Sequence, residues 1–330
     1  MLLVIVVAVV GGVYAITSWQ RTRETSRLLT DVQSTNHGVA TDAMISLRER
    51  VPSVASELIN LMRHTDPNVR WRAANLLADA SDARSRDALL AALTDDSPTV
   101  RMQAVLALGK RDVRDSADQI ALIASSEFED LAVRTAALQA LRMLRTGTHL
   151  AEAIAIAGDR PPPPPAVDDE EVAEAEAEAE VEEAAEEAEE YSDDTVLLRQ
   201  EALYTVAALG GTYRADTAER GPALDAADAL VEGSDASIEH DSDVRRAACY
   251  ALGDLASLVR NEQVHRRAVE ALIAAMTDEV GDVRIAATQT LRLVPVPAEM
   301  SNDVNRALED AVNDDHYWVR RAAEEAVRGG

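Results

Sequence analysis

Residues 66–80 read DPNVRWRAANLLADA, and residues 241–256 read DSDVRRAACYALGDLA. Each stretch opens on an acidic turn residue, passes through Val-Arg, and then carries Ala and Leu at helical spacing. The same order returns from Asp96 (DSPTVRMQAVLALGK), Asp130 (DLAVRTAALQALRML), Asp194 (DTVLLRQEALYTVAAL), Asp282 (DVRIAATQTLRLV) and Asp315 (DHYWVRRAAEEAV). The marker arginines are Arg70, Arg101, Arg134, Arg199, Arg245, Arg284 and Arg320, with steps of 31, 33, 65, 46, 39 and 36 residues. Self-similarity at this period is the signature of a stacked repeat array. The long step, 65 residues, spans one ordinary repeat plus an inserted segment.

Each unit reads as two helices. In the unit from Asp96, Asp96 or Ser97 is placed to cap the first helix, and Pro98 suits its opening turn. Val100, Ala104, Leu106 and Leu108 supply the apolar stripe. A second apolar segment follows each first helix, as at 86–93, 115–124 and 264–276. One helix pair cannot bury its stripes alone, whereas successive pairs side by side form a continuous core. Residues 39–63 read as a degenerate first unit, as a capping repeat should. The expected fold is all-α: an α-solenoid of helix pairs in two blocks, 38–157 and 193–330.

The pattern resembles HEAT repeats, most closely the short HEAT-like repeats named after phycobilisome lyases. The marker arginines allow two readings, a row that binds a ligand or a set of structural rungs. We read them as rungs of a ladder made of Asp66, Arg70, Asp96, Arg101, Asp130, Arg134, Asp194, Arg199, Asp241, Arg245, Asp282, Arg284, Asp315 and Arg320, each arginine paired with an Asp of its own or the neighbouring turn. The resemblance implies the same intramolecular ladder.

The two blocks are separated by residues 158–192. Pro161 to Pro165 are consecutive prolines, which favour extended polyproline II. Residues 168–194 then hold 16 acidic side chains and no basic one. Glu and Ala favour helix, but neighbouring Glu side chains repel at low salt. A solvated spacer with no packed core is expected, and an acidic docking segment for a basic partner is the other reading.

Residues 1–19, MLLVIVVAVVGGVYAITSW, carry no charged side chain. As a helix the run spans about 28 Å, close to the hydrocarbon thickness of a bilayer. Trp19 falls at interfacial depth, and Arg21, Arg23 and Arg27 follow within the segment 20–37. The positive-inside tendency then places the N-terminus outside and the repeats in the cytoplasm, a single-pass cell-membrane protein. A cleaved signal peptide is the alternative, but no basic stretch precedes the apolar run.

The 330 residues carry 32 Lys plus Arg against 59 Asp plus Glu, a formal net charge of −27. Phosphate meets like charge over such a surface, which disfavours nucleic acid as a partner. Lys110 is the single lysine. An acidic, lysine-poor composition resembles that of haloarchaeal proteins. Aromatics make up 3 % of a chain that is 47 % apolar, so its core must be built from Ala, Leu, Val and Ile.

Cys249 is the only cysteine, which excludes an internal disulfide or a Cys-cluster metal site. The histidines, His37, His64, His149, His240, His265 and His316, read as surface or turn residues. Deoxyhypusine hydroxylases with HEAT-like repeats hold di-iron through repeated His-Glu dipeptides; this chain has none, so that activity is not carried over. The lyase relatives assist tetrapyrrole attachment to a partner's cysteine, and no motif here identifies that chemistry. No catalytic residue, cofactor or metal is therefore expected. The leading reading is a membrane-anchored scaffold or adaptor for a protein partner. The alternatives are an enzyme-accessory HEAT protein of the lyase kind and a nucleic-acid binder. Tyr317 and Trp318, in the last repeat, are the candidate partner-binding residues; Trp71, Tyr204 and Tyr250 are the other aromatics that exposure would qualify.

Overall fold

The computed structural model describes residues 19–159, 193–213 and 221–329, without the side chains of residues 193, 194 and 329. The expected membrane segment therefore lies outside the described residues apart from Trp19, as do almost all of the expected linker and the side chain of Asp194. Among the described residues there is no strand, and no helix is long and apolar enough to cross a membrane. The chain divides into two compact units, Met1–Ser116 and Ala117–Gly330.

The first unit holds α1 (His37–Arg48), α2 (Val51–Leu61), α3 (Pro67–Leu77), α4 (Ala83–Ala91) and α5 (Pro98–Lys110). Side chains set where these helices start. Asn36 accepts from the Gly38 and Val39 N–H groups, Asp66 from Asn68, and Asp82 from Ser85. Each satisfies a donor that the first turn otherwise leaves orphaned. The arginine-bearing helices α3 and α5 pack together, while α2 and α4 pack on each other and against that pair.

Residues 19–31 are also helical, and this segment docks on the first unit. The buried Arg72 donates from Nη1 to the Val32 and Ser34 carbonyls at 2.9 and 3.0 Å. Arg50 donates to Glu24 Oε2 at 2.8 Å and Thr25 Oγ1 at 2.9 Å. The segment expected to be merely juxtamembrane is thus part of the packed unit, because two arginines reach back to hold it.

The second unit holds α6 (Ala117–Ser125), α7 (Leu131–Leu144), α8 (Leu150–Ala157), α9 (Asp193–Gly210), α10 (Pro222–Ser234), α11 (Ser242–Leu258), α12 (Glu262–Ala275), α13 (Gly281–Leu291), α14 (Ser301–Ala311) and α15 (Tyr317–Gly329). Packing runs in two layers. The arginine helices α7, α9, α11, α13 and α15 stack in order, and α10, α12 and α14 stack beside them.

Helix α9 packs on both α7 and α8. Thr205 Oγ1 donates to the Leu138 carbonyl at 3.1 Å, and Arg199 Nε to the Ala157 carbonyl at 3.3 Å. The acidic segment is therefore an insertion between stacked helices. The two repeats flanking it pack on each other.

The core is aliphatic and small. In α11, Val244, Ala247, Ala248, Cys249, Ala251, Leu252 and Leu255 are all buried. Alanine permits close approach, and at Gly253 even alanine is too large: a Cβ there would sit 2.4 Å from Thr290 Cγ2 on α13. Gly253→Ala gains helix propensity but forces α11 and α13 apart. We expect a net loss of about 1–2 kcal/mol of stability, overpacking outweighing propensity. Denaturant unfolding of the purified variant checks this; equal or greater stability would contradict the close packing.

Candidate functional site

The sequence pairs each marker arginine with an aspartate of its own or the neighbouring turn. The structure uses the neighbouring turn, and it gives several of the named aspartates a different role. Asp130 accepts from the Ala132 N–H at 3.0 Å, and Asp241 from Asp243 and Val244, both at 2.9 Å. Asp66 accepts from Asn68 at 2.8 Å. These are helix caps, and this role holds Asp66 below the ordinary carboxyl value, chiefly through the Asn68 N–H. Asp282 is exposed in the first turn of α13, 3.9 Å from Arg246. Asp96 and Asp315 do join rungs, but with the arginine of the preceding repeat.

Four rung acids lie six residues before a marker arginine: Asp95, Glu239, Asp278 and Asp314, before Arg101, Arg245, Arg284 and Arg320. Arg70 donates from Nε and Nη2 to Asp95, six residues before Arg101, at 2.8 and 2.7 Å. Arg245 grips Asp278, six before Arg284, at 2.7 and 2.9 Å. Arg284 grips Asp314, six before Arg320, at 2.8 and 3.0 Å. Arg199 pairs with Glu239, six before Arg245. Asp96 also contacts Arg70, and Asp315 accepts from Arg284 at 2.6 Å.

Five of the arginines, Arg70, Arg101, Arg245, Arg284 and Arg320, also bind carbonyls of their own turn. Nη1 of Arg245 donates to the carbonyls of Glu239 and His240 at 3.0 and 2.8 Å. Arg70, Arg284 and Arg320 repeat this with the carbonyls six and five residues before them, and Arg101 does so with Asp95 at 2.7 Å. The rung carboxylates also accept a backbone N–H two residues on: Ser97 for Asp95, Asp241 for Glu239, Val280 for Asp278 and His316 for Asp314, at 2.7 to 2.9 Å. One turn residue thus closes its own helix start and receives the preceding repeat.

Electrostatics follow burial. The Arg245 and Asp278 side chains are 2 % and 1 % exposed. The hydrogen bond to Asp278 raises Arg245 above its ordinary value against the opposing effect of burial. For Asp95 and Asp314, burial pushes the carboxyl up, but the arginine hydrogen bonds and the backbone N–H together hold both below the ordinary 3.8.

Arg134 differs. It donates from Nε to the Ala124 carbonyl at 3.1 Å, and the residue six before it is Phe128, which is fully exposed. The only phenylalanine in the chain therefore faces solvent, and the sequence pattern gave no sign of it beyond the absent acid. Leu122, at 73 % exposure, is a second missed apolar residue of that neighbourhood in sequence.

Tyr317 and Trp318 are 54 % and 57 % exposed at the start of α15. Their rings meet edge to face with centroids 4.9 Å apart, and the Arg320 guanidinium lies 5.9 Å from the Tyr317 centroid. Trp71, Tyr204 and Tyr250 are half-buried, so they serve packing more than display. His149 is buried beside Asp118 at 3.1 Å, and His265 meets the Ala256 and Val259 carbonyls at 3.1 and 3.0 Å. Both are better tied than surface histidines. Cys249 is fully buried, and burial pushes its thiol up to about 12.

A cavity of about 840 Å³ opens between α12 and α14. Its charged walls pair with one another: Arg266 with Glu299, Arg306 with Asp303, and Arg284 with Asp314. Among the described residues no cluster of three or more His, Cys, Asp or Glu is placed to hold a metal.

A family model described as HEAT repeats matches residues 55–142 and 227–328, more than half of the chain. The chain belongs to the HEAT repeat family. Among solved structures, YibA of E. coli aligns at 14 % identity over 92 % of both chains, with a TM-score of 0.52, a likeness of fold alone. Human deoxyhypusine hydroxylase in complex with glycerol aligns at 21 % identity over 95 % of this chain and 98 % of its own, TM-score 0.34. An engineered protein aligns at 18 % identity over 82 % and 96 %, TM-score 0.38. The last two scores carry no argument about this HEAT repeat protein. No curated protein matches it.

The rungs predict unequal energetics. Asp278→Ala leaves Arg245 buried without its carboxylate, and should cost about 3–5 kcal/mol. Glu325→Ala, in a surface ion pair with Arg292 whose side chains are 49 % and 39 % exposed, should cost about 1 kcal/mol or less. Urea unfolding separates the two; comparable costs would contradict the burial argument.

The pH dependence has a definite sign. Depressed carboxyl values mean stability that is complete above the ordinary 3.8 and is lost as pH falls through the lowered native values. Wild-type stability should therefore drop steeply below about pH 4, and Asp314→Asn should flatten part of that drop while lowering stability at neutral pH. An unchanged slope in the variant would rule Asp314 out as a contributor.

Proposed function

We propose that this HEAT repeat protein is a membrane-anchored scaffold that binds a protein partner and carries out no catalysis of its own. The observation that carries the reading is the exposed Tyr317–Trp318 pair. Aromatics make up 3 % of the chain, and here two adjacent ones face solvent where packing has no use for them. Large amphipathic rings at a surface are the residue types that anchor protein interfaces. The interior arginines favour structure over ligand binding, since they are engaged with carboxylates and carbonyls.

The anchor rests on the uncharged run 1–19 and the arginines after it. The described part agrees in chemistry: Trp19 is 59 % exposed, and the Arg23 guanidinium lies 5.2 Å from its ring centroid. Such an aromatic and basic pair suits the headgroup region. On this reading the repeats lie in the cytoplasm, and the docked helix 19–31 fixes them close to the bilayer. The acid-rich, lysine-poor surface suits work in molar salt.

Co-purification from native membranes at molar salt tests the binding. Trp318→Ala, with its helical content unchanged, should release a partner that the wild type retains. Retention by both proteins would remove the aromatic pair from the account. Carbonate extraction tests the anchor: the full chain should stay in the membrane pellet and a chain lacking residues 1–18 should not.

A further inference from the structure

Among the described residues the rung of Arg320 is half made. In the rungs of Arg70, Arg245 and Arg284, Nη1 is tied to the arginine's own turn, and the Nε–Nη2 edge grips the carboxylate of the following turn. Arg320 has the first half of this arrangement. Its Nη1 donates to the Asp314 and Asp315 carbonyls at 2.7 and 2.8 Å. Among the described residues no carboxylate lies within ion-pair distance of it, and its Nε–Nη2 edge has no acceptor. The side chain is half-buried and held in place by the two carbonyls and by the Tyr317 ring.

We infer that Arg320, with Tyr317 and Trp318, is a docking site for an acidic turn of a partner protein. The partner would present an aspartate whose carboxylate also accepts its own backbone N–H two residues on, followed by a helix with apolar residues. The structure displays this ligand class in place: Asp95, Asp278 and Asp314 each make that pair of interactions with the arginine before them. A carboxylate is specified over other acceptors by the planar fork, which takes two oxygens at once. Ordering costs little, because Arg320 is already fixed in its rung geometry. The exposed aromatics supply apolar area beside the charge, where the next repeat's helices would lie in an interior rung. The inference rests on the scaffold reading for the existence of a natural partner, and it adds the chemistry by which that partner is recognised.

A labelled peptide with the sequence of residues 262–291 is a direct probe, since it carries the Asp278 turn between its two helices. Fluorescence anisotropy with the full chain should show saturable binding that survives molar salt. The same peptide with Asp278→Asn should bind about tenfold more weakly or worse, because a charge-assisted pair becomes a neutral contact. On the protein, Arg320→Gln and Arg320→Lys should weaken the wild-type peptide to the same degree and abolish its preference for Asp over Asn. Arg321→Gln, at a neighbouring exposed arginine, should change nothing. Circular dichroism verifies that the variants fold.

No binding at millimolar peptide, equal binding of the Asp and Asn peptides, or equal losses at Arg320 and Arg321 would each overturn the inference. The assay needs no native partner, so the two proposals fail separately. If the peptide does not bind but Trp318→Ala still releases the native partner, the open rung is wrong and the scaffold stands. If the peptide binds as described and no partner depends on Trp318, the rung stands and the scaffold reading falls.

Discussion

The structure depends on one turn residue using both of its acceptors. Asp278 gives its carboxylate to Arg245 of the repeat before and its carbonyl to Arg284 of its own repeat. Asp314 does the same between Arg284 and Arg320. A helix pair that packs through small aliphatic side chains has few directional contacts to fix its register against the next pair. The forked guanidinium supplies that direction, because it accepts only a planar carboxylate and correctly spaced carbonyls. Hydrophobic burial drives the stacking, and the rungs select among the ways of stacking.

Small residues make the arrangement possible. With Ala, Gly and Thr at the contact of α11 and α13, the arginine helices approach closely enough for a side chain of one to reach the turn of the next. Gly253 against Thr290 shows how little room is left. Among the described residues the aromatics are half-buried, as Tyr204 and Tyr250 are, or face solvent, as Phe128, Tyr317 and Trp318 do.

Much of this was legible in the sequence. The Val-Arg-Ala-Leu recurrence pointed to helix pairs stacked side by side and to the family resemblance, because a strong 3.6-residue pattern repeated seven times leaves few alternatives. The partnership of the arginines was legible only in kind. Aspartates such as Asp66, Asp130 and Asp241 stand out because they open the helices, yet opening a helix already occupies their side chains. The rung acids Asp95, Glu239, Asp278 and Asp314 are signalled by an offset of six residues from Arg101, Arg245, Arg284 and Arg320, which becomes meaningful once the turn's carbonyl geometry is known. The position of α9 across the insertion was hidden for a related reason: an intervening low-complexity segment says nothing about whether its flanks pack. The exposed Phe128 was invisible because an apolar residue near a helix start reads as core.

The central claim is that each rung joins two repeats rather than stabilising one turn. Native-state hydrogen exchange of Asp278→Asn, read by mass spectrometry, tests it most directly. The account predicts that amide protection falls together in α13, which that turn opens, and at the start of α11, where Arg245 loses its partner. Loss of protection confined to the turn and α13, with the start of α11 exchanging as in the wild type, would contradict it.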